Sequence, residues 1–174
     1  MNTVFLQYYK TDFGNLIIGD FQNRLCLLDW QYRAKREQVD GRIANYLKAE
    51  FVEKETPLHQ EVIVQLEEYF RQQRTNFDIP LLLAGSDFQK KVWQALLEIP
   101  HGQTVSYLSL SRQLGDEKAI RAVASANGAN AISIIVPCHR VIGSGGELTG
   151  YAGGIDAKKK LLLLEGYRFQ PELF

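Results

Sequence analysis

The stretch Ile134-Ile-Val-Pro-Cys-His-Arg-Val-Ile142 places one cysteine directly after a proline and directly before a histidine and an arginine. A thiolate is the nucleophilic form of cysteine, and nearby imidazole or guanidinium groups can lower the thiol pKa or accept its proton. Pro137 fixes the backbone that enters the site. The apolar run before it reads as a core strand, so Cys138 is expected where that strand ends. A Cys-His neighbour pair alone is weak evidence for chemistry, because residues adjacent on a strand point to opposite faces.

Outward from this stretch, the second half of the chain reads as short helices. Ser86-Asp-Phe-Gln89 has the capping-box pattern, and Phe88, Val92, Trp93, Leu96 and Leu97 give the helix that follows an apolar face. Pro100-His-Gly102 ends it. A helix from about Val105 to Leu114 stops at Gly115, and Asp116 caps another from Glu117 to about Asn127. Two short helices joined in this way form a helix-turn-helix pattern. The second is nearly free of bulk, with Ala119, Ala122, Ala124, Ser125 and Ala126, and Arg121 is the long cation projecting from their midst. Such a helix suits close packing or entry into a narrow groove. Asp156 is expected to cap a last helix through Leu164-Glu165, with Tyr167–Phe174 irregular beyond it.

The first half alternates strands and helices. Val4–Tyr9, Leu16–Gly19 and Arg24–Trp30 are short and β-rich, with turn signals at Asp12-Phe-Gly14 and Gln22-Asn23. They fit an antiparallel meander. Glu37–Phe51 carries Ile43, Tyr46 and Leu47 at helical spacing, and Thr56-Pro57 opens a helix whose buried side holds Leu58, Val62, Leu66 and Tyr69. Asn76–Leu83 reads as extended. His59 and His101 read as ordinary surface or loop residues.

Bulk properties narrow the function. The net charge is zero, with residues 1–85 at −2 and residues 86–174 at +2, which argues against a protein held to nucleic acid mainly by charge. No segment approaches the roughly 18 consecutive apolar residues of a membrane span. The first ten residues lack the build of a signal peptide, so a cytoplasmic protein is expected. Of the two cysteines, Cys26 lies in an apolar run and reads as a small core residue. No Cys/His zinc spacing is present and no cofactor or metal is expected. Gly143-Ser-Gly-Gly146 is not a phosphate-binding loop, because no Gly-Lys-Ser/Thr follows it.

Taken together, Pro137-Cys138-His139-Arg140-Val141 resembles the active-site signature of the O6-alkylguanine-DNA alkyltransferases. Arg121-Ala-Val-Ala-Ser-Ala126 is similar to that family's recognition helix. Asn130 stands at its hinge, Ser106-Tyr107 at the start of its helix-turn-helix, Gly150-Tyr-Ala-Gly-Gly154 at its substrate loop, and Leu161-Leu-Leu-Leu-Glu165-Gly166 at its closing helix. The resemblance implies an α+β fold. A ribonuclease H-like α/β domain over residues 1–85, an antiparallel sheet with helices, precedes a mainly helical, winged-helix-like domain over residues 86–174.

The resemblance also implies roles. Cys138 accepts an alkyl group irreversibly, once per molecule. His139 takes its proton through a water, Glu165 orients and charge-stabilises His139, and Asn130 ties the recognition helix to the active-site turn. Tyr107 and Tyr151 line the base pocket. The carbonyls of Cys138 and Val141 accept from the guanine amino group, and the Ala152 N–H meets the alkylated oxygen. Arg121, with Ser106 and Ala122 beside the DNA, fills the gap left by a flipped nucleotide. The implied partner is double-stranded DNA carrying O6-alkylguanine, or O4-alkylthymine, bound by a monomer and with room for cooperative binding along DNA. Ala131 replaces a common proline after the hinge, and Ser133 replaces a proline near the pocket, which imply a looser hinge and a roomier site. A lesion-binding module without chemistry predicts binding with no change in protein mass. A Cys-His hydrolase predicts repeated turnover.

Overall fold

The computed structural model describes residues 1–169. Three strands, β1 (Asn2–Thr11), β2 (Gly14–Phe21) and β3 (Arg24–Trp30), form the expected meander. The Thr11 hydroxyl accepts from the backbone N–H groups of Phe13 and Gly14 and closes the first turn. The second turn has Gln22 and Asn23 both at positive φ, 52° and 64°, the backbone that a tight two-residue hairpin needs. A fourth strand, β4 (Ala49–Glu53), lies parallel to β1 and gives the order β3-β2-β1-β4.

The expected helix over Glu37–Phe51 therefore stops early. Helix α1 (Arg36–Leu47) ends where Lys48 adopts φ 50°, and the chain turns into the edge strand. Phe51 continues the four-residue rhythm of Ile43 and Leu47, which is why the helical pattern overruns. Helix α2 (Pro57–Phe70) starts as expected at Thr56-Pro57, with an unexpected partner. His59 is fully buried rather than at the surface. Its Nδ1 accepts from the Thr56 N–H at 3.1 Å, so Nε2 carries the proton and donates to the Phe5 carbonyl at 2.9 Å. One imidazole thus fastens the start of α2 to β1.

The inner strands are buried on both faces. Leu16, Ile18 and Leu28 pack toward α2, while Ile17, Leu27 and Cys26 pack with Val39 and Ile43 of α1. The free edge of β3 is covered by two loop segments. Leu25 bridges Leu81, and Leu28 bridges Ile132. Covering an edge in this way satisfies its backbone groups. It also hangs the segment leading to Cys138 directly on the N-terminal sheet.

The second half holds α3 (Asp87–Leu97), α4 (Tyr107–Gln113), α5 (Ile120–Gly128) and α6 (Ile155–Leu164). Ser86 and Gln89 make the expected capping box. Val92, Trp93 and Leu96 are buried, but Phe88 and Leu97 are exposed, so the apolar face of α3 is narrower than its sequence suggests. Ser106 caps α4. Val105–Ser106 (β5) pairs in parallel with Val141–Ile142 (β6), joining the start of the helix-turn-helix to the residues after Cys138. Asp116 caps only a short 3-10 turn, Glu117–Ala119, before α5 begins. Gly154, not Asp156, precedes α6, and Asp156 lies in its first turn. The tail is free of helix and strand through Phe169, and residues 170–174 lie outside the described part of the chain.

Candidate active site

No strand delivers Cys138. Residues 133–137 form a succession of tight turns, in which Val136 N–H donates to Ile132 O at 3.0 Å and Cys138 N–H to Val136 O at 2.8 Å. Pro137, at φ −83° and ψ 65°, sits at the apex of that last three-residue turn. Ile134 has φ 71°, a strained backbone for a β-branched residue, of the kind that persists only where the surroundings hold it. Cys138–Arg140 then form one 3-10 turn. This is what lets consecutive residues serve one site, since on a strand they would diverge.

Cys138 is 4% exposed, and burial pushes its thiol up to about 11, with the Asn130 amide offsetting part of the effect. Of the two ways its neighbours could serve it, lowering the thiol pKa or accepting its proton, this favours the second. The neighbouring guanidinium does not serve the sulfur, because Arg140 is committed elsewhere. Its Nε and Nη2 donate to the two oxygens of Glu165 at 2.8 and 2.9 Å, and Nη1 donates to the Ile99 carbonyl at 2.7 Å.

Glu165 is the hub. It is buried, and Tyr69 donates to its Oε2 at 2.6 Å. Burial alone would raise its carboxyl, but hydrogen bonds from His139 and Arg140, with their charge, hold it well below the usual carboxylate range. It is therefore a carboxylate and only accepts. His139 Nε2 lies 2.8 Å from Oε2 and must be the protonated nitrogen. Burial drives the imidazole below its ordinary value, so it is neutral at neutral pH. Its Nδ1 is buried with no hydrogen-bond partner among the described residues, an acceptor held available for a proton.

Asn130 is buried at the end of α5. Its Nδ2 donates to Val136 O at 2.9 Å and to Ile132 O at 3.3 Å, and its Oδ1 accepts from Ile132 N–H at 3.0 Å. Helix and turn are thereby one unit. The Cys138 carbonyl accepts from Val141 N–H, and Val141 itself is buried in the short parallel pair.

Tyr107, Arg121, Tyr151 and Ala152 line a cleft of about 820 Å³, together with Ala124, Thr149 and, from the β3–α1 loop, Arg33 to Lys35. The Tyr107 hydroxyl accepts from Thr149 at 3.1 Å. Tyr151 stands edge-on to both Trp30 and His139. The substrate-loop motif needs its glycine at 153, where a Cβ would lie 2.5 Å from the Trp30 ring. On α5, Val123 and Ala126 face the core while Arg121, Ala122, Ala124 and Ser125 are exposed. Ala122, Ala124 and Ser125 therefore leave a bare outer face, while Ala126 packs in the core. Ser106, the cap of α4, is half-buried.

Two family models match the chain. One, described as the 6-O-methylguanine DNA methyltransferase ribonuclease-like domain, matches residues 4–83, and the other, described as the DNA binding domain of the same protein, matches residues 87–167. A methylated-DNA–protein-cysteine methyltransferase of Methanosarcina barkeri is 41% identical over 90% of this chain and 93% of its own length. The chain belongs to the 6-O-methylguanine DNA methyltransferase family. A Mycobacterium tuberculosis protein of the same name is 55% identical over 63% of this chain, a stretch that spans 66% of that relative. A crystal structure of Mycobacterium tuberculosis OGT in complex with DNA superposes with TM-score 0.78 at 38% identity, covering 92% of each chain.

This methyltransferase-family chain also holds polar residues that its motifs did not single out. Lys158 is fully buried, donates to Thr149 O at 3.0 Å, and is pushed down to about 8 by burial, with the Cys138 sulfur opposing. Its signal was its helical phase, since residues 158, 161, 162 and 165 share one face of α6. Asp29 is fully buried and accepts from Ser133 Oγ at 3.3 Å. Among the described residues, no cluster of three metal-ligating side chains occurs and no helix is long and apolar enough to cross a membrane.

Proposed function

We propose that this chain is a DNA repair protein that flips an O6-alkylguanine out of the duplex and moves the alkyl group irreversibly to its own Cys138. The observation that carries the reading is the buried line from the Cys138 turn through His139 to Glu165, with Nδ1 of the imidazole left as a free acceptor. A buried sulfur cannot reach a base inside a stacked duplex, so the nucleotide must leave the stack. His139 Nδ1 takes the thiol proton through a water, and Glu165 stabilises the imidazolium. The S–C bond forms as the C–O6 bond of the base breaks, and the electron pair leaves with guanine. Overall the thiol proton is exchanged for the alkyl group, with Tyr107 donating to the departing purine. Nothing in this balance regenerates the thiol.

The remaining residues divide between pocket and DNA. Tyr107 and Tyr151 are the walls of the base pocket. The Val141 and Cys138 carbonyls read the guanine amino group, and Ala152 N–H meets the alkylated oxygen. The bare face of α5 with Ala122 enters the minor groove, where sequence readout is poor, as an enzyme indifferent to sequence requires. Ser106 lies alongside, and Arg121 fills the vacated stack. The chain works as two domains, 1–85 and 86–174, in the cytoplasm and as a monomer. O4-alkylthymine is a second substrate of the same pocket.

Stoichiometry tests the reading. With excess duplex containing O6-methylguanine, repair is expected to stop at one lesion per protein molecule. Repeated turnover would identify a hydrolase instead, and binding without repair a lesion sensor. Arg121→Ala should slow transfer from duplex DNA by about ten- to a hundred-fold while leaving free O6-benzylguanine within about two-fold, because only duplex needs a base extruded. Equal losses in single-turnover assays on the two substrates would remove the extrusion role.

A further inference from the structure

The last carbonyls of a helix have no partner within it and carry the negative end of its dipole. On α5 they are taken up from outside. Trp93 Nε1 donates to Ala126 O at 2.8 Å. Arg33 Nη2 donates to Gly128 O at 2.8 Å and its Nη1 to Asn130 O at 3.3 Å. Arg42 Nη2 donates to Ala129 O at 2.6 Å. Both arginines belong to the N-terminal half of the chain. Arg33 is itself fixed by Asp29, 2.9 Å away, with the two side chains 6% and 0% exposed. Arg42 lies over the Trp93 ring, 5.5 Å from its centroid.

The geometry points to Arg33 and Arg42 as a clamp by which the N-terminal domain holds the end of the recognition helix and, through Asn130, the Cys138 turn. The inference rests on the alkyl-transfer reading given above. Both are positioning residues and neither touches the sulfur. The need for them is local. Asn130 is followed by Ala131, which has no ring to stiffen the hinge, and the next turn contains Ile134 in a strained conformation. A guanidinium suits the task, because its planar fork spans one carboxylate and two carbonyls, whereas an ammonium is a point charge.

The two arginines hold different things. Gly128 and Ala129 end the helix, whereas the Asn130 side chain grips Val136, two residues before the sulfur. Arg42→Met should therefore loosen the helix alone, and Arg33→Met both helix and turn. The test is single-turnover transfer from duplex O6-methylguanine and from free O6-benzylguanine, normalised to titrated active thiol. Misplacing reacting groups by about 1 Å can cost about a hundred-fold. On that scale Arg33→Met is expected to lose about a hundred-fold on duplex and about ten-fold on the free base. Arg42→Met is expected to lose about ten-fold on duplex and under about two-fold on the free base. Arg33→Lys should not restore the rate. If Arg33→Met does not fold, Arg42→Lys decides on the same substrates. For either Arg42 variant a loss confined to duplex supports the clamp, for Arg33→Met a duplex loss about ten-fold larger than the free-base loss supports it, and parallel or absent losses overturn it. Lack of transfer by the unmodified protein would overturn the alkyl-transfer reading and the clamp with it, whereas an active protein beside unaffected variants overturns the clamp alone.

Discussion

Glu165→Gln is expected to destabilise the protein by about 3–5 kcal/mol and to slow transfer by about a hundred-fold or more. Among the described residues the carboxylate is the only counter-charge bonded to Arg140, a guanidinium 6% exposed, and it also accepts from Tyr69 and orients His139. An amide has one accepting oxygen, and its NH2 would face a donor. The stability loss follows from leaving a buried cation unpaired. The rate loss follows because the imidazolium formed during transfer has no anion beside it.

The same carboxylate sets part of the acid behaviour. Its folded value lies below the ordinary 4.5, so the unfolded chain takes the proton first as pH falls. The stability it contributes is complete above that ordinary value and is lost progressively below it. His139, also depressed, adds a loss that begins as pH falls below 6.5. Urea denaturation followed from neutral to acid pH should show the steep acid loss in the parent protein, and its shallower counterpart from an already lower start in Glu165→Gln. A variant as stable as the parent, with an unchanged rate, would dissolve the proposed hub.

Cys138→Ala is expected to abolish transfer while affinity for duplex carrying O6-methylguanine stays within about three-fold, since the proposed binding contacts lie on Tyr107, Tyr151 and α5. The sulfur is nearly enclosed, but the atom removed is small, so the stability change should be within about 2 kcal/mol. Alkaline stability should improve. The folded thiol lies near 11, above its ordinary 9.0, so the unfolded chain loses its proton first as pH rises and stability falls with it. The variant lacks that loss. Gel-shift titration and urea melts between neutral and alkaline pH check both statements. Any residual transfer, or loss of lesion binding, would contradict them.

Local signals in the sequence were read successfully where a residue's neighbours in the chain decide its conformation. Gln22-Asn23 turns, Thr56 and Ser86 cap helices, and Gly115 closes α4, because each depends on groups within four positions. The imidazole of His139 and the carboxylate of Glu165 meet at 2.8 Å, and the Asn130 amide grips the turn before Cys138, although only family resemblance linked Glu165 to Cys138. The misreadings arose where periodicity was ambiguous or the partner was distant. Phe51 prolonged a helical rhythm into a strand. The run Ile134–Val136 read as a strand because apolar runs do not distinguish a strand from a buried coil of turns. His59 and Arg33 have partners many residues away, which no local pattern carries. Arg140, adjacent to Cys138 in sequence, does not lower the thiol pKa because it spends its donors on Glu165 and Ile99.

The resting thiol changes how reactivity is gated. A sulfur that stays protonated until a neutral imidazole removes its proton is protected from oxidants and adventitious alkylators. The protein can then wait, fully folded, for the single transfer proposed for it. That view makes the site's reactivity depend on a base swung into the cleft beside Tyr107 and Tyr151.

The most direct measurement is intact mass followed by peptide mapping after one equivalent of duplex DNA carrying a single O6-methylguanine. The account predicts that the protein gains one methyl in place of one hydrogen, located on Cys138, while the DNA returns to guanine. Repaired DNA beside protein of unchanged mass, or a methyl found on Cys26, would contradict it.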